Sequence, residues 1–382
     1  MRVGFVTDIH VRDVDLVEQI PAMKAVAEKM KEEGVELVLV GGDLAGVTVP
    51  HRASPRERNA LVDFFLALGE FARVIIVRGN HDFPGDYQFT NHLAVDDRGE
   101  VRKPITYISE PTVVSDGGSW DVFVFPWLDR SRFSPDEDYR ESVLSAYKTI
   151  NSKRKTDHRF ILGHAAIVGA MIREGQPMVP TEDPTFSVDE IVRGIEGVDA
   201  AFFGHYHLPQ DLEGSVPAFY GGSLFVHQYG EDFEKGFLIW DTDTGEAERF
   251  GVPQTRKLVV DVDTTKGKVD TSLRPGGRFT LKALSGSLVK VVVKVKQEER
   301  VEVTPAIDEL VRKIQKQARG VRVIHKVEKT TRSREGAEKI AGLPTIEDKV
   351  RAYFDALDVK PDTKRIDRAV SMLRHVEREI EK

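Results

Sequence analysis

Residues 77–82 read Val-Arg-Gly-Asn-His-Asp, which is the end of an apolar strand, a glycine turn and three polar side chains. Four other segments share this design, namely Val3–His10, Leu39–Asp43, Ile161–His164 and Phe203–His207. In each, an apolar run typical of a buried strand enters a tight turn and then reaches a carboxylate, an amide or an imidazole. Ligands of α/β sheets bind beyond the carboxyl ends of the strands, so these side chains are expected to share one rim.

Strands and helices alternate over the first 250 residues or so, which predicts an α/β fold with a sheet covered on its faces. The later strands are more hairpin-like and favour a mixed sheet or a sandwich of two sheets. The predicted strands are Arg2–Thr7, Val35–Val40, Arg73–Val77, Trp120–Phe125, Arg159–Leu162, Ala200–Phe203, Val216–Tyr220 and Gly236–Trp240, and the predicted helices are Leu16–Glu33 and Glu57–Phe71.

The composition changes near Thr255, and this predicts a second domain. A strand at Leu288–Val295, a helix at Pro305–Ala318 and a strand at Val321–Val327 form a small β-α-β unit. A polar linker and two amphipathic helices follow. The predicted domains are residues 1–255, residues 256–330, a linker at 331–344 and a helix-loop-helix tail at 345–382.

Charge is distributed unevenly along the chain. The formal net charge is −7, but residues 256–382 carry +10 and residues 1–255 carry −17. This asymmetry favours a metal-binding domain followed by an anion-binding one, although uneven charge also occurs simply because it keeps a protein soluble.

The absence of cysteine excludes disulfides, a thiolate zinc site and a cysteine nucleophile. It favours the cytoplasm, although a cysteine-free chain is also compatible with other compartments. We expect no signal peptide, because the N-terminus shows no basic region followed by an apolar one, and no membrane span, because no apolar run approaches about 20 residues.

The five segments offer three carboxylates, one amide and five imidazoles. Such donors, without sulfur, suit Mn²⁺, Fe²⁺, Zn²⁺ or Mg²⁺. Any one of these motifs alone could be an ordinary turn or a solvated strand end. Five in order, each behind an apolar strand, favour two ions that share a carboxylate and clamp a phosphoryl group.

These motifs resemble those of the calcineurin-like metallophosphoesterases over roughly residues 1–250. The resemblance implies a four-layer α/β/β/α sandwich and two divalent ions, with Mn²⁺ expected and Mg²⁺, Fe²⁺ or Zn²⁺ as alternatives. It implies that His81 contacts the scissile phosphate or protonates the leaving oxygen, and that Asp82 orients it. By the same resemblance, one ion would be held by Asp8, His10, Asp43 and His207, and the other by Asp43, Asn80, His164 and His205.

A narrower resemblance is to the SbcD-type DNA-repair nuclease subunits. It rests on His164–Ala170, Phe125–Trp127, Gly222–Leu224, Gly230–Glu231 and Glu234–Phe237. It implies a DNA-capping domain, a homodimer and a tail at 345–382 that binds an SbcC-type SMC-like ATPase. It also implies 3′-to-5′ exonuclease activity on double strands and endonuclease activity on single strands.

The chain departs from this narrower pattern at one position. Archaeal relatives have a second active-site histidine three residues after the Asp of the second motif, and here that position is Gly46. His51 is a candidate substitute and a candidate DNA-contacting residue on the following loop, and the alternative is an exposed loop histidine.

The C-terminal half supplies further candidate DNA contacts, unless they form only a solvated basic face. They are Arg274, Arg278, Lys290, Lys294, Arg312, Lys313, Lys316 and Arg319. The terminal helices either dock on a partner coiled coil or pack on their own domain, and helix 57–71 is either core or a homodimer face.

Taken together, these features predict a metal-dependent DNA nuclease. The alternatives are a phosphatase or small-molecule phosphodiesterase of the same superfamily, and a scaffold that only binds DNA ends.

Overall fold

The computed structural model describes residues 1–46, 51–88, 90, 105–150, 156–173, 176–177, 183–231, 234–264, 269–275, 278–296, 300–328, 342–343, 345–355 and 370. Its strands are β1 (Arg2–Val6), β2 (Val35–Val40), β3 (Arg73–Val77), β4 (Ile105–Ile108), β5 (Thr112–Ser115), β6 (Trp120–Phe125), β7 (His158–His164), β8 (Ala166–Ile167), β9 (Met171–Arg173), β10 (Gln176–Pro177), β11 (Thr185–Phe186), β12 (Ala200–Gly204), β13 (Gln210–Leu212), β14 (Ala218–Tyr220), β15 (Gly236–Asp241), β16 (Glu246–Gly251), β17 (Lys257–Asp263), β18 (Asp270–Arg274), β19 (Leu288–Lys296) and β20 (Gly320–Glu328). Its α-helices are α1 (Leu16–Glu32), α2 (Pro55–Gly69), α3 (Tyr139–Lys148), α4 (Val188–Val192), α5 (Arg300–Gln315) and α6 (Ile346–Asp355).

Two six-stranded sheets organise the N-terminal part. The first has the order β16-β15-β1-β2-β3-β4, and the second has the order β13-β14-β12-β7-β6-β5. The central strands β1, β2 and β3 run parallel to one another, as do β6, β7 and β12. Their carboxyl ends therefore lie along one rim of each sheet.

The inner faces of the two sheets share a core, because side chains alternate between the two faces of a strand. Phe5 on β1 meets Phe202 on β12, with ring centroids 5.3 Å apart. The same core contains Val3, Leu37, Leu39, Ile75, Val77, Val122, Val124, Phe160 and Leu162.

Helices cover the outer faces. Val6 and Ile76 of the first sheet belong to the same buried cluster as Met23 of α1 and Phe65 of α2. The second sheet packs in the same way against α3 and α4. The predicted α/β class and the four-layer α/β/β/α sandwich are confirmed.

Helix α2 begins at Pro55 and ends at Gly69, two residues earlier at each end than the predicted range Glu57–Phe71. The Ser54 hydroxyl accepts a hydrogen bond from Glu57 N, the Glu57 carboxylate accepts one from Ser54 N, and Pro55 opens the helix. This capping box satisfies the free N–H groups of the first turn. Phe64, Phe65 and Leu68 lie in the protein's own core.

The C-terminal part contains a four-stranded sheet of order β18-β17-β19-β20 rather than only a β-α-β unit. Helix α5 begins at Arg300, earlier than predicted, with Pro305 inside it. The chain divides into two compact units, Met1–Val260 with Ser272–Lys290 and Lys313–Arg322, and the described residues of Asp261–Thr271, Val291–Arg312 and Val323–Lys382.

The predicted linker 331–344 lies almost wholly outside the described residues, as does all but Val370 of the second tail helix. The domain boundaries therefore stay predictions. Within the part of the chain that the structure describes, none of the helices combines the length and apolarity needed to cross a membrane.

Candidate metal centre

The structure brings the predicted ligands together at the carboxyl ends of five parallel strands. They follow β1 (Asp8, His10), β2 (Asp43), β3 (Asn80), β7 (His164) and β12 (His205, His207). Both sheets therefore contribute to one site, as the position of the motifs predicted.

Two groups of ligand atoms meet at Asp43. Its Oδ2 lies 3.7 Å from His10 Nε2, and its Oδ1 lies 3.4 Å from His164 Nε2. In the first group, His10 Nε2 is 3.1 Å from His207 Nε2. In the second, Asn80 Oδ1 is 2.9 Å from His164 Nε2 and 3.2 Å from His205 Nδ1. One carboxylate oxygen faces each group, which is the arrangement that a bridging ligand needs.

The backbone of the site is held in an unusual conformation. Asp8, His10, Asp43 and His205 have φ angles of 48°, 46°, 54° and 114°, and they are the only non-glycine residues with positive φ in the described ranges. Such conformations cost about 1–3 kcal/mol each and persist where the surrounding structure enforces them. All four are predicted ligands, so the strain coincides with the site.

Glycines let the strand ends approach closely. A Cβ on Gly42, which has φ +87°, would lie 2.7 Å from Gly79 N and 2.8 Å from His164 Nδ1. A Cβ on Gly79 would collide with the Asp43 backbone N. The second and third motifs can therefore pack against each other only without side chains here.

Backbone carbonyls define the tautomers of two ligand histidines. His10 Nδ1 lies 2.5 Å from Gly46 O, and His164 Nδ1 lies 2.6 Å from Gly41 O. A carbonyl can only accept, so Nδ1 carries the proton and Nε2 presents a lone pair. His164 Nε2 thus faces the acceptor oxygens of Asn80 and Asp43. Lone pairs that converge in this way fit a cation between them.

The carboxylates of the site are buried and close together. Burial raises the pKa of Asp43 well above its ordinary value, and the neighbouring Asp8 and Asp82 raise it further. Burial likewise raises the pKa of Asp8 to about 7. Three buried carboxylates resist ionisation unless cations offset their charge, so their chemistry also fits divalent ions.

The histidines are suited to bind metal as neutral donors. Burial lowers the pKa of His205 to about 4 and that of His207 to about 3. Burial also lowers the pKa of His10 and His164 well below the ordinary value. At neutral pH all four imidazoles are unprotonated and available as ligands.

His81 projects beside these groups, with its side chain 17% exposed and its Nε2 3.8 Å from Asp43 Oδ2. The Asp82 carboxylate accepts hydrogen bonds from the backbone N of Asp43, Leu44 and Gly79 at 3.1, 2.9 and 2.8 Å. The predicted orienting effect of Asp82 on His81 would therefore act through the loop backbone and stays a prediction.

Arg78 is a site residue that the sequence analysis missed. It is buried, and its guanidinium donates to Asp82 O, Trp127 O and Asp129 Oδ2. Trp127 in turn stacks on His205 with centroids 5.3 Å apart. The sequence did contain a signal for Arg78, because this charged residue stands directly between the apolar strand Arg73–Val77 and the glycine turn at Gly79. Another missed residue, His227, carried no such signal, because it stands in no motif.

His51 lies beside the site. A Cβ on Gly46 would collide with the His51 ring, so this ring fills the space that a side chain at position 46 would need. Its Nε2 lies 3.0 Å from Glu57 Oε2, and its backbone N donates to His81 O at 2.7 Å. The position suits the predicted substitution, and its role stays a prediction.

The candidate DNA contacts of the C-terminal half are surface residues. Arg319 forms an ion pair with Glu18, and Lys290 is half-buried. The exposed ones are Arg274, Arg278, Lys294, Arg312, Lys313, Lys316 and Arg319.

Comparison with known proteins places these observations in a family context. A solved structure of the inner-membrane-complex anchor GAP50 of Plasmodium shares 13% identity, with a TM-score of 0.41, over 66% of this chain and 89% of that one. The E. coli phosphoesterase YfcE shares 14%, with a TM-score of 0.30, over 66% and 100%. A dimetal phosphatase from Danio rerio shares 11%, with a TM-score of 0.39, over 63% and 91%. The family model described as calcineurin-like phosphoesterase matches residues 1–209, which is more than half of the chain.

Proposed function

Because the chain belongs to the calcineurin-like phosphoesterases, we propose that it is the nuclease subunit of an SbcCD-like complex that processes DNA double-strand breaks. The observation that carries the phosphodiesterase chemistry is the placement of Asp43 between two groups of buried donors. The SbcD-like segments and the basic C-terminal half support DNA as the substrate.

The side chains divide the work of hydrolysis. Asp8, His10, Asp43 and His207 would hold one divalent ion, and Asp43, Asn80, His164 and His205 the other. When bound, two such ions lower the pKa of water and offset the charge of the phosphate. His81 contacts the scissile phosphate or donates a proton to the leaving oxygen, which is typically worth about 10²–10⁴-fold in rate. Its exposure of 17% leaves it accessible to substrate.

The basic residues of the C-terminal half support a polyanionic substrate. Arg312, Lys313 and Lys316 are exposed on and just after α5. Lysine and arginine side chains bind DNA through its phosphates and release counterions, without reading the base sequence. We therefore expect cleavage that is independent of sequence. The resemblance to the SbcD-type subunits further implies 3′-to-5′ exonuclease activity on double strands and endonuclease activity on single strands.

The proposed complex is a cytoplasmic homodimer with an SbcC-type ATPase bound at residues 345–382. Helix α6 supports this role for the tail. Thr345 Oγ1 accepts a hydrogen bond from Asp348 N at 3.1 Å, which caps the helix, and Tyr353 is 50% exposed on its surface.

The direct test is degradation of an end-labelled linear duplex by the full chain with Mn²⁺, with EDTA and an Asp8→Ala variant as controls. The proposal expects cleavage that EDTA stops and that the variant lacks. Hydrolysis of p-nitrophenyl phosphate with no DNA cleavage would favour a phosphatase or small-molecule phosphodiesterase instead. DNA binding without hydrolysis of either substrate would favour a scaffold.

A paired variant separates DNA binding from phosphoester chemistry. Lys313→Gln with Lys316→Gln should weaken DNA binding and reduce its salt dependence, because fewer counterions are released. Hydrolysis of bis-p-nitrophenyl phosphate, which carries a single phosphodiester, should not change. Unchanged DNA affinity would contradict the role of this basic surface.

A further inference from the structure

Residues 221–231, which follow β14, contact the first group of ligands. Leu224 N donates a hydrogen bond to Asp8 O at 3.3 Å, and Ser223 N donates one to His207 O at 3.1 Å. These contacts tie the segment to the backbone of two predicted ligands of the same ion.

His227 lies on this segment and points inward. It is 7% exposed, and its ring centroid lies 4.8 Å from that of His10 and 5.5 Å from that of His207, both in edge-on contact. Its Nε2 lies 3.4 Å from Asp8 O. Because a carbonyl can only accept, Nε2 is the nitrogen that donates.

The other ring nitrogen distinguishes this residue from ordinary core filling. Among the described residues, His227 Nδ1 is buried and has no hydrogen-bond partner. A buried nitrogen without a hydrogen-bond partner is unfavourable in a core, and a phenylalanine would fill the same space without one. Unlike phenylalanine, a histidine at this position also provides the Nε2–H donor that faces the Asp8 carbonyl.

The Asp8 carbonyl is a point where such a donor matters. Asp8 and His10 both have positive φ, at 48° and 46°. Residues in this region stay there only when their surroundings hold them. Two donors converge on this carbonyl, Leu224 N and His227 Nε2, and the His227 ring packs against His10.

A buried ion pair anchors the segment. Glu231 and Lys235 pair at 3.0 Å with side chains 6% and 1% exposed, and Lys235 Nζ also donates to Ser223 Oγ at 2.5 Å. His227 N donates to Glu231 Oε2 at 3.2 Å. The backbone position of His227 is therefore fixed from both sides.

We infer that His227 is a positioning residue for the ion held by Asp8, His10 and His207. It holds the Asp8 backbone and the His10 ring in the conformation that binds this ion. The inference rests on the proposed two-ion centre and is independent of DNA as the substrate.

The experiment is a calorimetric titration of the metal-depleted full chain with Mn²⁺. His227→Phe keeps an aromatic ring and removes the donor, whereas His227→Gln keeps a donor that can reach the Asp8 carbonyl. Phe225→Leu, at a buried position of the same segment, is the control for lost packing. Thermal unfolding of the metal-depleted variants reports packing separately from ion binding.

We expect His227→Phe to bind one of the two ions about 10- to 100-fold more weakly, as changes to the partners of metal ligands typically do. His227→Gln should recover most of this affinity, and Phe225→Leu should lower the melting temperature with both ion affinities unchanged. Wild-type affinities in His227→Phe, or no recovery in His227→Gln, would overturn the inference. A wild-type chain that binds fewer than two ions would overturn the two-ion centre and this inference together.

Discussion

Arg78 offers a sharp test of how the active-site loop is held. Its guanidinium donates to Trp127 O at 2.9 Å, to Asp82 O at 3.2 Å and to Asp129 Oδ2 at 2.8 Å. Arg78→Met preserves most of the buried volume and removes all three donors. The two carbonyl acceptors lie in buried residues, whereas Asp129 is 33% exposed and can turn toward water.

The expected loss follows from the two buried hydrogen bonds. A hydrogen bond from a charged donor is worth about 1.5–3 kcal/mol, and two of them give a loss of about 3–6 kcal/mol in the free energy of unfolding. The exposed contact with Asp129 adds little. Because Arg78 also holds the loop of His81, kcat for phosphodiester hydrolysis should fall as well.

The assay is equilibrium unfolding in urea at neutral pH, with Arg132→Met as the matched control. Arg132 pairs with the exposed Glu110, so its replacement should cost no more than about 1 kcal/mol. A loss below about 1 kcal/mol for Arg78→Met, or equal losses for both variants, would refute the reasoning.

Three further predictions concern the centre itself. His81→Gln should lower kcat by about 10²–10⁴-fold and should retain both ions. Metal analysis of the purified variant would check the ion content, and loss of an ion would show that His81 is a ligand. Gly79→Ala should abolish metal binding, because its Cβ collides with the Asp43 backbone, whereas Gly118→Ala, which has open space, should bind ions normally in the same titration. Burial lowers the pKa of His205 in the folded protein to about 4, whereas a histidine in the unfolded chain has a pKa of about 6.5. The unfolded chain therefore binds a proton more readily between these values, and the free energy of unfolding should decrease as the pH falls from about 6.5 toward 4. Urea unfolding of the metal-free protein between pH 7 and 4 should show this decrease in the free energy of unfolding, and a His205→Asn variant should show a smaller one. Equal dependence on pH in the wild type and the variant would contradict the prediction.

The sequence was most informative where an apolar strand ran into a turn. The strands that precede Asp43 and Asn80 were predicted at their observed boundaries, because each is a largely apolar run that ends within two residues of a glycine. The same pattern placed nine polar side chains at one rim, where the structure finds them. Edge strand β16 was missed because its residues, Glu246–Gly251, are mostly polar and exposed, so they lack the apolar alternation that marks a half-buried strand.

The geometry inside the site could not be derived from residue types. Positive φ is uncommon for any residue other than glycine, and no local pattern in the sequence indicates that Asp8 and Asp43 adopt it. The contact of His227 with His10 joins residues 217 positions apart, and it depends on how one loop crosses a strand end. Contacts of this kind follow from tertiary packing and leave no local pattern.

The most direct measurement of the central claim is the number of divalent ions that each molecule of the full chain holds. Metal-depleted protein would be loaded with Mn²⁺, passed through gel filtration and analysed for metal by mass spectrometry, beside Asp43→Ala. The account predicts two ions per chain in the wild type and fewer in the variant, because Asp43 faces both groups of ligands. One ion or none in the wild type, or two in Asp43→Ala, would contradict it.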